Sequence, residues 1–172
     1  MENSPTVLTK TELISSLRQE VHILLHLMSK IEPYMLEYRP SAKQRNLLEL
    51  LQYLTLLGPI HTRGVLADTF SMDAWGNAWT EGEGISKTLD PEGTRAAIAG
   101  LNTLFDDLLE NFPDDSLRED FALFGRTLSR GSWLVGLVLN PYVAYRMQVF
   151  LYLKEAGCDT LSTMNLWAGE DA

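Results

Sequence analysis

A segment near the C-terminal end decides the fold: residues 129–157 read SRGSWLVGLVLNPYVAYRMQVFLYLKEAG. Ser129 is a favourable N-terminal cap, and Gly157 is a typical stop, since glycine adopts the left-handed conformation that ends many helices. The residues between them predict a long helix that continues to Ala156. Its inward stripe has three- and four-residue spacing, and it consists of Leu134, Leu137, Pro141, Tyr145, Gln148 and Tyr152.

Two more helical patterns lie in the first part of the chain. Apolar residues recur at three- and four-residue intervals over Thr11–Glu37, and the proline at position 40 ends this first predicted helix. Ser41 is the expected cap of the second helix. Gly58-Pro59 either ends that helix or kinks it before residues 60–68. The short connection predicts that the two helices are antiparallel neighbours.

The third predicted helix begins after Asp90, which caps it, and ends at Phe112-Pro113. Residues 69–89 and 114–128 show no clear periodicity. A 20-residue connection can span a helix of roughly 30 Å, so we predict an all-α four-helix bundle. Its order is up-down-down-up, with a long crossover loop between helices 2 and 3. A lid-like or disordered loop in a plain up-down bundle is the alternative.

Composition limits the classes of function. Of the 172 residues, 45% are hydrophobic and 22% are charged, which suits one globular domain. The net charge of −9 argues against nucleic acid as a partner. The single Cys158 excludes an internal disulfide, and we interpret it as a passive thiol. We find no secretory signal, and polar residues interrupt the most apolar run, so we expect a cytoplasmic protein that does not enter a membrane.

Residues 129–157 resemble the last helix of the DinB/YfiT-like four-helix bundles, which commonly reads N-H-x-x-H-H-R-G-Q-x-x-x-Y-L-R-x-x-G. The segment Arg45–Leu54, RNLLELLQYL, is similar to the second helix of that superfamily, which usually reads e-L-L-x-H-L. The resemblance covers nearly the whole chain in helix order and loop lengths. It implies a single DinB/YfiT-like domain over residues 1–172. Members typically bind a divalent metal, are often homodimers, and include thiol-dependent transferases, isomerases and hydrolases.

The resemblance also implies where metal ligands would lie: one histidine on the second helix and an H-x-x-x-H pair on the last. Aligned on the glutamine, tyrosine and glycine shared near the end of the last helix, these slots fall on Tyr53, Pro141 and Tyr145. Proline offers no ligand atom, and a phenol with a pKa near 10 is a poor ligand. We therefore expect no metal and no other cofactor. A hydrogen bond between the Tyr53 and Tyr145 hydroxyls would replace the metal.

The three histidines are the remaining candidates for metal chemistry. His22 and His26 are four residues apart, but both point away from the apolar stripe of the first helix. Ile23 and Leu27 lie on the same outer side, so we expect a homodimer partner to cover this face. An adventitious metal site is the alternative. His61 is expected to be partly buried with one hydrogen bond, and a catalytic base is the second possibility.

Aromatic residues in the predicted crossover loop either plug the end of the core or form the wall of a small-molecule cavity. The expected lining of such a cavity is Tyr53, His61, Trp75, Trp79, Asn140, Tyr142, Tyr145 and Gln148. We favour a dimeric small-molecule-binding or scaffold protein without the usual metal site. The alternative is a metal- or thiol-dependent transferase or hydrolase with a rebuilt site that holds zinc or nickel. A third possibility is a purely structural dimerisation module.

Overall fold

The computed structural model describes residues 8–172, and the predicted lack of a secretory signal concerns residues 1–7, which lie outside that range. Within it the protein is mostly helical, so the all-α prediction is confirmed at that level. The helices are α1 (Lys10–Met28), α2 (Leu47–Leu66), α3 (Met72–Ser86), α4 (Pro91–Leu109), α5 (Arg130–Leu134), α6 (Asn140–Glu155) and α7 (Thr163–Trp167), with 3-10 turns at Pro33–Glu37 and Asp115–Arg118. Two short strands, β1 (Asp120–Leu123) and β2 (Arg126–Ser129), form an antiparallel hairpin.

The first two helices differ from their predicted bounds. The prediction that α1 extends to Glu37 is wrong, because Pro33 pushes Glu32 into an extended conformation and starts a separate 3-10 turn. Asn46, and not Ser41, caps α2. Its Oδ1 accepts a 2.8 Å hydrogen bond from the Glu49 amide, and the Glu49 carboxylate accepts one from the Asn46 amide.

Helix α2 continues without a break through Gly58-Pro59. Gly58 lies against the aromatic core: a Cβ atom there would lie 2.8 Å from Tyr142 Cε2 and 2.9 Å from Phe105 Cζ. Tyr142 is fully buried, and its hydroxyl donates a 2.9 Å hydrogen bond to the carbonyl of Leu54. The glycine therefore allows α2 to approach α4 and α6 closely.

The prediction that residues 69–89 form an irregular loop is wrong, because they contain the 15-residue helix α3. Glycines at positions 76, 82 and 84 weaken helix propensity and hid the pattern. Packing against α2 compensates, since a Cβ at Gly82 would lie 3.2 Å from Ile60 Cδ1 and 3.5 Å from Leu56 Cβ. Most of residues 69–89 therefore form a helix that lies against α2.

Long-range hydrogen bonds fix which helix ends lie together. Gln52 Nε2 donates to the carbonyl of Leu89 over 2.8 Å, which holds the start of α4 beside the first turns of α2. Arg95, near the start of α4, donates to the Leu25 carbonyl near the end of α1 over 2.9 Å. At the other end of α4, Lys10 donates to the carbonyl of Glu110 over 2.9 Å.

The prediction that residues 114–128 are irregular is also wrong in part, because the β1–β2 hairpin lies there. Phe124 and Gly125 form its turn, both with positive φ (50° and 74°), as hairpin turns of this length require. Ser129 caps the following helix as predicted. Residues 135–139 form a π-helical stretch, since Pro141 cannot donate a hydrogen bond and its ring crowds the preceding turn. Gly157 ends α6 at φ 103°.

The helical run Arg130–Glu155 is long and apolar enough, by length and composition, to cross a membrane, and 33% of its most apolar window is buried. Both of its arginines have contacts inside the fold. Arg130 donates to the carbonyls of Val65 and Ala67 at the end of α2, and Arg146 pairs with Glu20 of α1. These contacts favour the interpretation of Arg130–Glu155 as a core helix of the fold over that of a membrane-spanning helix.

The outer face of α1 is covered by the chain itself. Ile23 and Leu27 have no exposed surface, because the C-terminal segment around α7 packs on this side. A Cβ at Gly169 would lie 3.2 Å from Ile23 Cα. The prediction that Ile23 and Leu27 belong to a dimer interface is therefore wrong, although the prediction that the helix is buried on its second side is correct. The dimer itself stays a prediction.

His26 anchors this C-terminal segment. The Asn165 Oδ1 atom accepts hydrogen bonds from the Ser162 amide and hydroxyl, so its Nδ2 faces His26 Nε2 at 2.9 Å and Asp171 Oδ1 at 3.0 Å. Nε2 must accept this hydrogen bond, which requires neutral imidazole. Burial, followed by the charge of Lys30, lowers the pKa of His26. The segment therefore docks on a neutral histidine.

We expect acid to weaken this docking. A lowered folded-state pKa means that the unfolded chain binds the proton first, so stability is lost as the pH falls below 6.5. The measurement is the indole chemical shift of Trp167 between pH 8 and pH 5, because the chain has four tryptophans and their fluorescence would overlap. His26→Gln, which accepts a hydrogen bond without titrating, should flatten the transition, whereas His61→Gln, at a histidine that lies against Trp75 and Trp79, should leave it intact. An unchanged transition in His26→Gln would contradict the assignment.

Candidate functional site

Five of the eight predicted pocket residues meet in one aromatic cluster: Tyr53, His61, Trp75, Trp79 and Tyr145. The Tyr53 ring stacks on Trp79, with centroids 5.7 Å apart and planes 22° apart. It also meets Tyr145 edge to face at 5.4 Å. His61 lies 5.5 Å from Trp79 and 6.0 Å from Trp75, measured between ring centroids. The cluster thus joins α2, α3 and α6.

Two groups of the cluster have shifted pKa values. Burial, followed by the neighbouring Tyr145 phenol, raises the pKa of Tyr53 to about 12. Burial lowers the pKa of His61, so its imidazole is neutral at physiological pH. The predicted hydrogen bond of His61 is absent within residues 8–172, where its contacts are the two tryptophan rings. The bond between the Tyr53 and Tyr145 hydroxyls stays a prediction.

The other three predicted pocket residues lie outside the cluster. Tyr142 belongs to the core beneath Gly58. Asn140 is exposed and lines a different cavity beside Leu13. Gln148 donates a 2.6 Å hydrogen bond to the Tyr152 hydroxyl. Gln148 is half-buried, in agreement with its predicted place in the inward stripe. Its amide nitrogen is engaged by Tyr152 and does not face a cavity of the cluster.

A cavity of about 350 Å³, here called the Arg45 cavity, opens beside the cluster between α2 and α3. Its lining consists of Arg45, Glu49, Gln52, Tyr53, Leu56, Glu83, Ser86 and Lys87. A second cavity of about 200 Å³ is lined by Phe70 and Trp75, among others. The aromatic rings therefore fill the space between two cavities, and Tyr53 and Trp75 each form part of a wall. The two predicted roles of the loop aromatics, plug of the core and wall of a ligand cavity, stay predictions.

Two larger cavities contain no member of the cluster. One, of about 600 Å³, lies between the start of α1 and residues 129–140. The other, of about 390 Å³, is mainly apolar and lies between the end of α1 and the starts of α2 and α4. The Arg45 cavity is the one that touches Tyr53, the residue to which the resemblance assigns a functional slot.

The charges around the Arg45 cavity are unevenly paired. Glu83 pairs with Lys87 at 2.9 Å, and Glu49 pairs with Arg39 at 3.3 Å. The Arg45 guanidinium lies over the Tyr53 ring, 4.0 Å from its centroid. Within residues 8–172 no carboxylate lies within salt-bridge distance of Arg45.

The indole of Trp79 adds a second unsatisfied donor. Its Nε1 atom is buried and has no hydrogen-bond partner. Burying an N–H group without a partner costs about 1–3 kcal/mol, so such groups are uncommon in folded proteins. Trp79 is not among the residues that line the Arg45 cavity, so within residues 8–172 Arg45 is the donor that faces this cavity without a carboxylate partner.

Solved structures resemble this fold over most of its length. One is a DinB-like protein, YjoA, from Bacillus subtilis, with a TM-score of 0.66, 14% identity, and coverage of 85% of this chain and 92% of that one. Another is a proposed DinB family member from Exiguobacterium sibiricum, with a TM-score of 0.66, 19% identity, and coverage of 90% and 96%. No family model and no curated protein matches the sequence.

This chain has the DinB-like fold. The three slots where the superfamily resemblance places metal ligands do not fit a divalent ion here. Tyr53 and Tyr145 are in contact, but the pKa of Tyr53 is raised to about 12, so its phenolate forms less readily than usual. Pro141 has no donor atom at all. Within residues 8–172 no group of three or more histidine, cysteine, aspartate or glutamate side chains is placed to hold a metal.

Sequence reasoning missed the charged residues of the Arg45 cavity. Glu49, Tyr53 and Leu56 share one face of α2, and Arg45, just before the cap of this helix, continues the same three- and four-residue spacing, which was visible in the sequence. Lys87 and its partner on α3 were hidden, because the segment was predicted as a loop.

Proposed function

We propose that this chain is a small-molecule-binding protein of the DinB/YfiT type without the usual metal site, and that its ligand occupies the Arg45 cavity. The observation that carries the proposal is the unpaired Arg45 above Tyr53, in a cavity that begins where the metal slot of the superfamily falls. The volume of about 350 Å³ is at the lower end for small-molecule pockets. A compact ligand of one or two rings suits it.

The up-down-down-up order is part of the same proposal. It is supported by the hydrogen bonds that hold the starts of α2 and α4 together and the end of α4 beside the start of α1. Helix α3 would then return the chain along α2 and form the outer wall of the Arg45 cavity.

Assembly and location complete the proposal. We keep the homodimer of the DinB/YfiT type, with a scaffold role, and the cytoplasm as location. Because Ile23 and Leu27 are covered by α7, a dimer would use another surface. Leu151 and Met147 lie one turn apart on α6 and are both exposed, which makes them candidates for that surface.

Ligand binding at Tyr53 can be tested with a fragment library and amide chemical shifts. We expect fragments to shift the resonances of Gln52, Tyr53 and Lys87. Tyr53→Leu should weaken binding by roughly tenfold or more, since an aromatic contact of about 0.5–1.5 kcal/mol is lost in addition to buried area. Tyr34→Leu, at an exposed tyrosine on the surface, is the matched control. The proposal fails if no fragment shifts these resonances.

The second candidate is a transferase or hydrolase with a rebuilt site. It is favoured by His61, whose half-buried, neutral imidazole has no hydrogen-bond partner within residues 8–172 and could accept a proton. Cys158 is free, with its Sγ 3.8 Å from Thr160 Oγ1. Thiol-conjugation activity that His61→Gln abolishes would support this candidate, and stoichiometric zinc or nickel in untagged protein would overturn the first proposal.

A further inference from the structure

We infer that the Arg45 cavity selects a planar organic anion, an aromatic ring carrying one carboxylate, over neutral or cationic molecules of the same shape. This inference rests on the proposed binding function and adds the chemical class of the ligand. An anion is favoured because one cation of the cavity, Arg45, has no salt-bridge partner among the described residues, whereas both carboxylates do.

Two carboxylates line the cavity, and each has a cation of its own. Glu83 is four residues before Lys87 on α3 and pairs with it. The hydrogen bond and then the charge of Lys87 lower the pKa of Glu83, and Arg45, which lies beyond salt-bridge distance, makes the smallest contribution, so the carboxylate stays ionised and matched mainly to the ammonium. The Glu49 carboxylate accepts a hydrogen bond from the Asn46 amide at the start of α2. It also forms a salt bridge with Arg39. Both negative charges are therefore neutralised locally.

Arg45 is the positive charge left over. Its guanidinium carbon lies 4.0 Å from the centroid of the Tyr53 ring, which places the charge at the wall of the cavity. Guanidinium donors match a carboxylate in two parallel hydrogen bonds. A carboxylate placed there would complete the pairing that the chain leaves open.

The apolar part of the ligand follows from the neighbouring walls. Tyr53 and Leu56 supply an aromatic and an aliphatic surface. The Gln52 amide and the Ser86 hydroxyl already donate to the carbonyls of Leu89 and Glu83. A flat ring with one acidic group uses all of these features.

The overall charge of −9 would otherwise repel anions, so anion binding has to depend on a local cation. Removing Arg45 should therefore affect anions alone. Added salt should weaken anion binding as well, since it screens the exposed guanidinium.

The experiment compares three probes of one shape: 2-naphthoate, neutral 2-naphthamide and cationic 2-naphthylmethylamine. Calorimetric titration should show naphthoate binding at least tenfold more tightly than either of the others. Arg45→Gln should weaken naphthoate roughly tenfold or more, as expected for a hydrogen bond to a charged group, and change naphthamide binding less than twofold. Arg45→Lys should retain part of the preference. Arg126→Gln, at an exposed arginine of the hairpin, is the matched control.

The outcomes separate this inference from the function on which it rests. Equal binding of naphthoate and naphthamide, with no effect of Arg45→Gln, would overturn the anion preference and leave small-molecule binding at Tyr53 intact. Failure of every probe and fragment to shift the resonances around Tyr53 would overturn both. Arg45 is exposed, and an unchanged melting temperature of Arg45→Gln would exclude unfolding as the cause of lost binding.

Discussion

Gly58→Ala is expected to lower the free energy of unfolding by about 2–4 kcal/mol, in spite of the higher helix propensity of alanine. The added methyl group would lie 2.8 Å from Tyr142 Cε2 and 2.9 Å from Phe105 Cζ, both rings of the core. Overpacking of a dense core costs about 1–3 kcal/mol. Displacing Tyr142 would also break its hydrogen bond to Leu54, worth about 1 kcal/mol.

Chemical denaturation followed by circular dichroism measures this effect. Gly100→Ala is the matched control, because Gly100 is an exposed helical glycine with nothing within 4 Å of its would-be Cβ. Alanine there should be neutral or stabilise the protein by up to about 1 kcal/mol. A loss below 1 kcal/mol in Gly58→Ala would show that α2 can move away from Tyr142 without cost.

Arg146→Met is expected to destabilise the protein by about 3–5 kcal/mol at pH 7. Arg146 Nη1 lies 3.2 Å from Glu20 Oε1, and both side chains are more than nine-tenths buried. Methionine would fill most of the space but would leave a buried carboxylate without its counter-charge. The Trp167 ring, which lies 5.3 Å from the guanidinium, would lose a cation–π contact too.

The pH dependence distinguishes this loss from a packing defect. Burial outweighs Arg146 and raises the pKa of Glu20, and removal of Arg146 raises it further. The folded state then binds the proton more tightly than the unfolded state, so the destabilisation of Arg146→Met should shrink as the pH falls. Glu20→Leu combined with Arg146→Met should recover most of the stability. Arg18→Met, at an exposed pair with Asp106, should change little.

The helices that the sequence predicted correctly are those with a strong local signal at both ends. Asp90 accepts the Gly93 amide as a cap, and Ser129 and Gly157 bound the last helical run. The failures have local causes as well. Pro33 was overlooked inside an otherwise periodic segment, and the glycines of α3 lowered a propensity that contact with α2 restores. Tertiary packing therefore decided the elements that propensity left open.

Part of the aromatic cluster could be predicted from the sequence, because helical spacing shows which positions share a face. Tyr53 and Tyr145 came from the alignment of two helical segments, and the structure brings their rings into contact. Asn140 and Tyr142 were misassigned, because a helix position does not tell whether a side chain meets a cavity or a glycine of the facing helix. The burial of Ile23 and Leu27 depended on α7, a distant segment with only five helical residues.

The packing of α3 has a consequence for how a bound ligand affects its stability. Only Ser86 of this helix is fully buried, and Trp75 and Trp79 are half-buried against α2, so α3 is held less firmly than the core of α1, α2, α4 and α6. Its free energy of opening is then a fraction of the global value, and its amides exchange with solvent ahead of those of α1 and α4. The outer wall of the Arg45 cavity therefore opens more readily than the core, and a ligand that contacts both Tyr53 and Lys87 should slow the exchange of the α3 amides.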